Sequence, residues 1–198
     1  MSEVAGLNIS KIIKTGGDVS GAGELERLEL VTPNADGSQR RTPIALEGKA
    51  QWRAVVSHVG ADEYWLAGRV KGNAVLECAR CLEPTVQPIE ARLESLLQYN
   101  AKVQHPRREV QEDGEEIIVF GDPSLDLSGL LAEAFSIELP EVVLHSPDCK
   151  GLCVACGTNL NHLPAGTCAA NRADCPQLTT PATNSSNPFA GLKELFKD

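Results

Sequence analysis

Two Cys-x-x-Cys pairs, Cys78/Cys81 and Cys153/Cys156, are the residues of this chain best suited to chemistry. A residue that permits a sharp turn lies close behind each pair, Pro84 after the first and Gly157 after the second. A tight turn of this kind sets both sulfurs on one side, so each pair supplies half of a tetrahedron. Two such knuckles brought together make a closed four-cysteine site for a structural zinc ion. Zinc suits the donors because thiolates are soft, the ion has no redox chemistry of its own, and four protein ligands leave no open position for a substrate.

The chain holds more ligands than one ion needs. Cys149, Cys168 and His145 are alternates, and Cys175 lies just beyond them. The local set Cys149, Cys153, Cys156 and Cys168 would bind an ion without the first pair, but leaves Cys78/Cys81 a bare dithiol. The set Cys78, Cys81, Cys153 and Cys156 is preferred because it ties remote parts of the chain together. A third arrangement completes the Cys78/Cys81 pair with Cys149 and one more ligand. A competing chemistry is thiol redox, with Cys78 or Cys153 as a low-pKa attacking thiolate, but a thioredoxin-like enzyme needs its pair at a helix N-terminus in a βαβ unit. A zinc-ribbon module for nucleic acid is another alternative. The remaining signals for catalysis are thin: His58, His105 and His162 are scattered, no Gly-x-Ser-x-Gly or phosphate-cradling glycine loop is present, and His58 reads as a half-buried sheet residue.

With 198 residues and a net charge of −9, the chain is long enough for one main core and poorly suited to gripping nucleic acid over a broad basic face. Only four Phe, two Tyr and two Trp are available, so aliphatic side chains must fill that core. No secretory leader or bilayer-spanning apolar run is visible, which predicts a cytoplasmic protein with no membrane partner. In that reducing compartment its seven cysteines are poor disulfide formers.

The elements that must position these cysteines are mostly strands. Residues 1–43 read as an irregular N-terminal segment with one strand or short helix. From Ile44 the period-two pattern sharpens, with Trp52, Ala54 and Val56 on one face. A second strand from Tyr64 to Cys78, bent or bulged at Gly72-Asn73, leads into the first cysteine pair. A third carries Ile89, Ala91 and Leu93 on one side, so the pair falls at the tip of a hairpin. Residues 100–116 read as a polar excursion, and Ile117 to Phe120 as a short strand. Leu127, Leu130, Leu131, Ala134 and Phe135 mark one face of a helix over 126–138, capped by Asp126 and ended by Pro140. The expected fold is therefore α+β: a twisted antiparallel sheet or partly closed barrel, one packed helix, and a Cys-rich zinc-knitted C-terminal segment completing a core over 44–175. Residues 176–187 have linker composition, and 188–198 read as a short helix presenting Phe189, Leu192 and Phe196.

The stretch Cys78-Ala79-Arg80-Cys81-Leu82-Glu83-Pro84 resembles the Cys-x-Arg-Cys-Leu-x-Pro signature of the YceD family, the large ribosomal RNA subunit accumulation proteins of bacteria. The resemblance continues through Asp126-Leu127, Glu133 and Leu139-Pro140, then Asp148 to Asn161, and Asn187-Pro188-Phe189 near the end. Two departures stand out: Val154 where many members have proline, and His145 near the position of a further cysteine, an exchange that keeps metal-binding capacity. The resemblance implies a non-catalytic role in synthesis, processing or stability of large-subunit ribosomal RNA, hence in ribosome biogenesis, with no small-molecule substrate. Because the chain is acidic, its expected partner is a ribosome assembly factor or ribosomal protein, or a small local stretch of large-subunit ribosomal RNA.

Overall fold

The computed structural model describes residues 4–34 and 38–164. The expected linker over 176–187 and helix over 188–198 lie outside these residues. The elements in chain order are β1 (Gly6–Asn8), α1 (Ser10–Thr15), β2 (Asp18–Leu25), β3 (Leu28–Pro33), β4 (Gln39–Ile44), β5 (Leu46–Gly60), β6 (Glu63–Glu77), β7 (Pro84–Tyr99), β8 (Arg107–Val110), β9 (Glu116–Phe120), β10 (Ser124–Asp126) and α2 (Ser128–Ile137). They belong to two compact units, one of residues 1–76 and 84–143, the other of 77–83 and 144 onward.

The first unit is built on an open six-stranded sheet in the order β2-β5-β6-β7-β9-β8, with β1–β10 and β3–β4 as separate two-stranded pairs. The long strands form because their apolar residues alternate. In β5 Trp52, Ala54 and Val56 point inward, and in β7 Ile89, Ala91 and Leu93 do the same. Helix α2 buries Leu131, Ala132, Ala134 and Phe135 in the same core. Phe135 reaches Gly72 of β6, where an added Cβ would stand 3.4 Å from its ring. The aromatic residues cluster, with Phe120 packed edge-on to Tyr64 at 6.3 Å and tilted against Tyr99 at 5.6 Å.

The sheet differs from the expected one in four places. It is not wholly antiparallel, because β9 runs parallel to β7, pairing Leu96 with Ile117 through Tyr99 with Phe120. The stretch 100–116 holds β8, which pairs antiparallel with β9. A turn with Gly114 at φ +88° joins those two strands. The irregularity expected at Gly72-Asn73 falls on the partner strand, where the register shifts between Glu47 and Gln51 and Gly48 takes φ +80°. Most of the first forty residues are regular: β2 pairs along β5 from Asp18–Ser57 to Leu25–Ala50. Gly21 and Gly23 are strand residues rather than turn signals. An added Cβ at Gly21 would meet Leu7 at 2.8 Å and Trp52 at 3.2 Å, so the missing side chains are what lets Trp52 lie across β2.

Smaller differences follow from local hydrogen bonding. Asp126 accepts from the Ser128 N–H at 2.9 Å and so shapes the entry to α2, but the cap position is Leu127 and has no side-chain cap. His58 is exposed rather than half-buried; it stands near the end of β5, with its ring edge-on to Tyr64 at 5.3 Å and its Nε2 2.9 Å from the Ala61 carbonyl.

Phe135 is fully buried. Phe135→Ala is expected to cost about 3–5 kcal/mol, lost transfer free energy plus a cavity that the surrounding strands cannot collapse into. Urea unfolding should show this as a lowered midpoint with an unchanged slope.

Candidate metal centre

The second unit is organised by the tight turn that links β6 to β7. Its backbone closes on itself: the Cys78 N–H donates to the Glu83 carbonyl at 2.9 Å, and the Leu82 N–H donates to the Cys78 carbonyl at 2.9 Å. Leu82 adopts φ +63° to make the second bond, a conformation few non-glycine residues take. The result is the knuckle that the Cys-x-x-Cys spacing implies, with Cys78 and Cys81 on one side.

Opposite this knuckle runs 144–161. Arg80 ties the two stretches: its carbonyl accepts from the Leu152 N–H at 3.1 Å, and its guanidinium donates to the Cys149 carbonyl at 3.0 Å. Gly151 is at φ +76°, and an added Cβ there would stand 3.2 Å from the Arg80 carbonyl, so this approach needs glycine on both counts.

The outcome is a group of four ligand atoms, from Cys78, Cys81, Cys149 and His145, all within 4.8 Å of one another. Cys78 Sγ lies 3.8 Å from Cys149 Sγ, and Cys81 Sγ lies 3.1 Å from His145 Nδ1. A tetrahedral ion with metal–sulfur bonds of about 2.3 Å requires sulfurs about 3.8 Å apart, so the cage has the right size for one ion. Among the described residues this is the one group of three or more His, Cys, Asp or Glu side chains gathered tightly enough to hold a metal.

The electrostatics of the cage favour a cation. Cys78 is 0% exposed, and Cys81 and Cys149 are each 4% exposed. Burial pushes the Cys78 thiol up, but the backbone N–H groups of His145, Arg80 and Cys81, together with the His145 ring, outweigh it and bring Cys78 down to about 5. Burial pushes Cys81 up to about 12. The Glu83 N–H counteracts this, while the sulfurs of Cys78 and Cys149 and the Glu83 carboxyl reinforce it. Cys78 is thus shifted toward its thiolate while Cys81 is shifted toward its thiol.

Around the four ligands stands a ring of supporting groups whose roles spacing alone does not reveal. Asn161 Nδ2 lies 3.5 Å from Cys149 Sγ, and Asn161 Oδ1 accepts from the Lys150 N–H at 2.8 Å. Glu83 is hydrogen-bonded to His162 and lies 3.7 Å from His145 Nδ1 and 3.5 Å from Cys81 Sγ. His162, the bond to it first of all, draws the Glu83 carboxyl below its ordinary value. These partners orient the ligands and tune their basicity.

The structure therefore brings the first cysteine pair together with Cys149 and His145, two of the alternates. It does not bring Cys153 and Cys156 to them. Those two sit in a separate apolar cluster with Ala155 and Leu160, while Cys78, Cys81 and Cys149 pack with Leu144 and Leu152. The physical reason lies in the turn at Gly151. The backbone pairs with Arg80 there and aims Cys149 at the first knuckle, after which the chain bends into a turn of its own. Cys168 and Cys175 lie outside the described residues. Among the histidines, His105 and His58 are remote in sequence from the group and are not part of it.

A sheet-dominated protein with three cysteines and one histidine gathered closely enough to hold a metal ion is the class that these features define. The family profile described as "Large ribosomal RNA subunit accumulation protein YceD" matches residues 66–196, and the chain belongs to the YceD family. It is 33% identical over 99 residues to an uncharacterized protein of Mycobacterium tuberculosis, covering 50% of this chain and 46% of that one. It is 28% identical over 160 residues to the "Large ribosomal RNA subunit accumulation protein YCED homolog 1, chloroplastic" of Zea mays, covering 69% of this chain and 52% of that one. The chain thus spans about half the length of the curated relatives it matches. No solved structure matches it.

Two outcomes are expected. Asn161→Leu, which removes the donor beside Cys149 but no ligand, should weaken metal binding about 10–100-fold in a chelator competition, while His145→Cys retains binding. In the metal-free protein the depressed Glu83 carboxyl contributes stability that is fully present above its ordinary value of 4.5 and lost as pH falls through its lower folded value. Glu83→Gln should therefore flatten the acid limb of a stability–pH curve measured by denaturant unfolding.

Proposed function

We propose that this chain is a non-catalytic ribosome-biogenesis factor of the cytoplasm that supports synthesis, processing or stability of large-subunit ribosomal RNA, and that a structural zinc ion held by Cys78, Cys81, Cys149 and His145 maintains its second unit. Membership of the YceD family supports the ribosomal role. The observation that carries the non-catalytic part is closure. Cys78, Cys81 and Cys149 are buried, His145 has a side chain 26% exposed, and these four protein ligands would complete a tetrahedron and leave no position for water or substrate. Three sulfurs and one imidazole nitrogen suit zinc among the available divalent ions.

The same closure weakens the redox alternative. A Cys78 thiol drawn down to about 5 beside a Cys81 pushed up to about 12 is the asymmetry that a dithiol oxidoreductase uses. An attacking thiolate must nevertheless be reached by its substrate, and Cys78 is fully buried with Cys149 and His145 against it.

No helix among the described residues is long and apolar enough to cross a membrane. The partner is a ribosome assembly factor, a ribosomal protein or a short stretch of ribosomal RNA. For the RNA contact, the outward face of the six-stranded sheet supplies a local basic patch within an acidic chain. Arg53 pairs across β5–β6 with Arg69, and both line one groove with Arg92 of β7. Glu94 lines the same groove, Arg69 lies 3.7 Å from Glu90, and Lys71 beside them is bonded to Glu90 at 2.9 Å.

Depleting the protein should lower the amount of mature large-subunit ribosomal RNA, raise its precursors, or both, as read by quantitative RNA blots. Complementation by an Arg53→Glu/Arg92→Glu variant should fail if the basic face touches RNA and succeed if a protein partner binds elsewhere. Unaltered mature and precursor RNA on depletion would sink the ribosomal reading.

A further inference from the structure

The outward face of the six-stranded sheet carries an apolar strip beside its arginines. Side chains alternate across a strand, so in β6 the residues Trp65, Ala67, Arg69 and Lys71 share the face opposite to the buried Tyr64, Leu66 and Val70. Cross-strand register continues this face onto β5, where Ser57 stands opposite Trp65, Val55 opposite Ala67 and Arg53 opposite Arg69. On β2 the same rungs end in Ser20 beside Val55 and Ala22 beside Arg53. Those residues are small, so the groove that Arg53, Arg69 and Arg92 line is shallow and open along the sheet. Trp65 is 39% exposed and Val55 41% exposed, on neighbouring rungs.

A single exposed apolar side chain needs no explanation, but an indole next to an exposed valine on a solvent-facing sheet does. The chain has only two Trp; Trp52 is buried in a core otherwise filled by aliphatic residues, and the other ring stands in water. The charges on this face are arranged with equal bias. Arg53, Arg69, Lys71 and Arg92 meet Glu90 and Glu94, and Glu90 takes up both Arg69 at 3.7 Å and Lys71 at 2.9 Å. Arg53 and Arg92 form no ion pair among the described residues, so the arginine end keeps surplus positive charge in a chain of net charge −9. The Trp65 end does not: Asp18 lies on its rung, across Ser57.

A ligand that fits must carry anionic groups for the arginines and a flat, uncharged surface for the indole. Nucleotides of a single strand carry both, because an unstacked base offers its π-face and the backbone its phosphates. An A-form duplex offers phosphates only, its bases being held in the stack. Trp65 and Arg69 are two same-face steps apart on β6, about 13 Å, which a strand of a few nucleotides spans. We propose, resting on the ribosomal role given above, that this face binds single-stranded RNA, with a base stacked on Trp65 against Val55 and phosphates held by Arg53, Arg69 and Arg92. The contact is short, since only two or three phosphates are neutralised, and an acidic chain can therefore make it without a broad basic surface.

The test is fluorescence anisotropy of a labelled single-stranded oligoribonucleotide of mixed sequence, titrated with the full-length protein; stacking tolerates sequence, so an arbitrary strand serves as probe. The wild type should bind it more tightly than the duplex it forms with its complement. The logarithm of affinity should fall against the logarithm of salt concentration with a slope of about −1.4 to −2.1, about −0.7 for each phosphate neutralised. Trp65→Ala should weaken binding about tenfold with that slope unchanged, and Trp65→Phe should retain binding. Arg53→Ala/Arg92→Ala should reduce the slope by about 1.4. All three side chains are exposed, so urea midpoints should stay near that of the wild type and lost binding is not unfolding. A wild type that does not bind the strand, a preference for the duplex, or Trp65→Ala that binds as the wild type does would overturn the proposal. Absent binding together with altered ribosomal RNA on depletion overturns this contact, leaves the ribosomal role standing and points to a protein partner. Binding together with unaltered ribosomal RNA on depletion supports the RNA face and removes the ribosomal role.

Discussion

The second unit depends on one convergence: sulfurs from a turn at residues 78–81 meet a sulfur and an imidazole from residues 145–149. These groups are remote in sequence, Cys78 and Cys149 being separated by |i−j| of 71. Closing such a loop in a free chain is entropically unfavourable, although the cost grows only slowly with length. Most of it is met elsewhere. The turn is held at both ends by the neighbouring strands β6 and β7, and the residues between form a sheet with its own core. What the cage must supply is the docking of 144–161, a stretch whose described part holds one isolated bridge and no helix or strand. A bound ion contributes directly to that docking, because its ligands do not assemble in the unfolded chain.

Charge makes the convergence costly without a cation. Buried thiolates lack the solvation that water gives them, and two sulfurs at 3.8 Å oppose each other's ionisation. The chain offers partial compensation. Backbone N–H groups point at Cys78, Arg80 binds the carbonyl of Cys149, and the Asn161 amide approaches the Cys149 sulfur. Despite its burial, Cys78 is shifted toward its thiolate by those N–H groups and the His145 ring, while burial shifts Cys81 toward its thiol. On the proposed reading these dipoles prepare the group for a cation.

On the proposed reading the metal group handles no substrate, and a partner is contacted through other surfaces. The outward sheet face joins arginines of β5, β6 and β7 while the chain as a whole carries a net charge of −9. An acidic protein with a confined basic strip is poorly suited to coating RNA and suited to a short, salt-sensitive contact or to an interface with a basic protein. On that reading metal and contact surface have separate roles, the first maintaining shape and the second recognising.

Much of this was legible in residue types and spacing. Alternation in β5 and β7, the apolar stripe Leu127-Leu131-Phe135 and the turn at Cys78/Cys81 all follow from periodicities that act within a few residues, so no tertiary information was needed to find them. The surplus of cysteine and histidine side chains over what one ion needs was equally plain. Tertiary structure alone decided the rest. Gly21 and Gly23 look like loop residues until Trp52 is seen lying over them, and β9 reads as a strand whose direction beside β7 no local pattern specifies. The grouping of ligands belongs to the same kind: the Arg80–Leu152 and Arg80–Cys149 hydrogen bonds bring the stretch with Cys149 and His145 to the turn at Cys78/Cys81. Local sequence determines that a turn will present two sulfurs; which distant groups meet them is a matter of long-range backbone pairing, and that is a property of the folded chain.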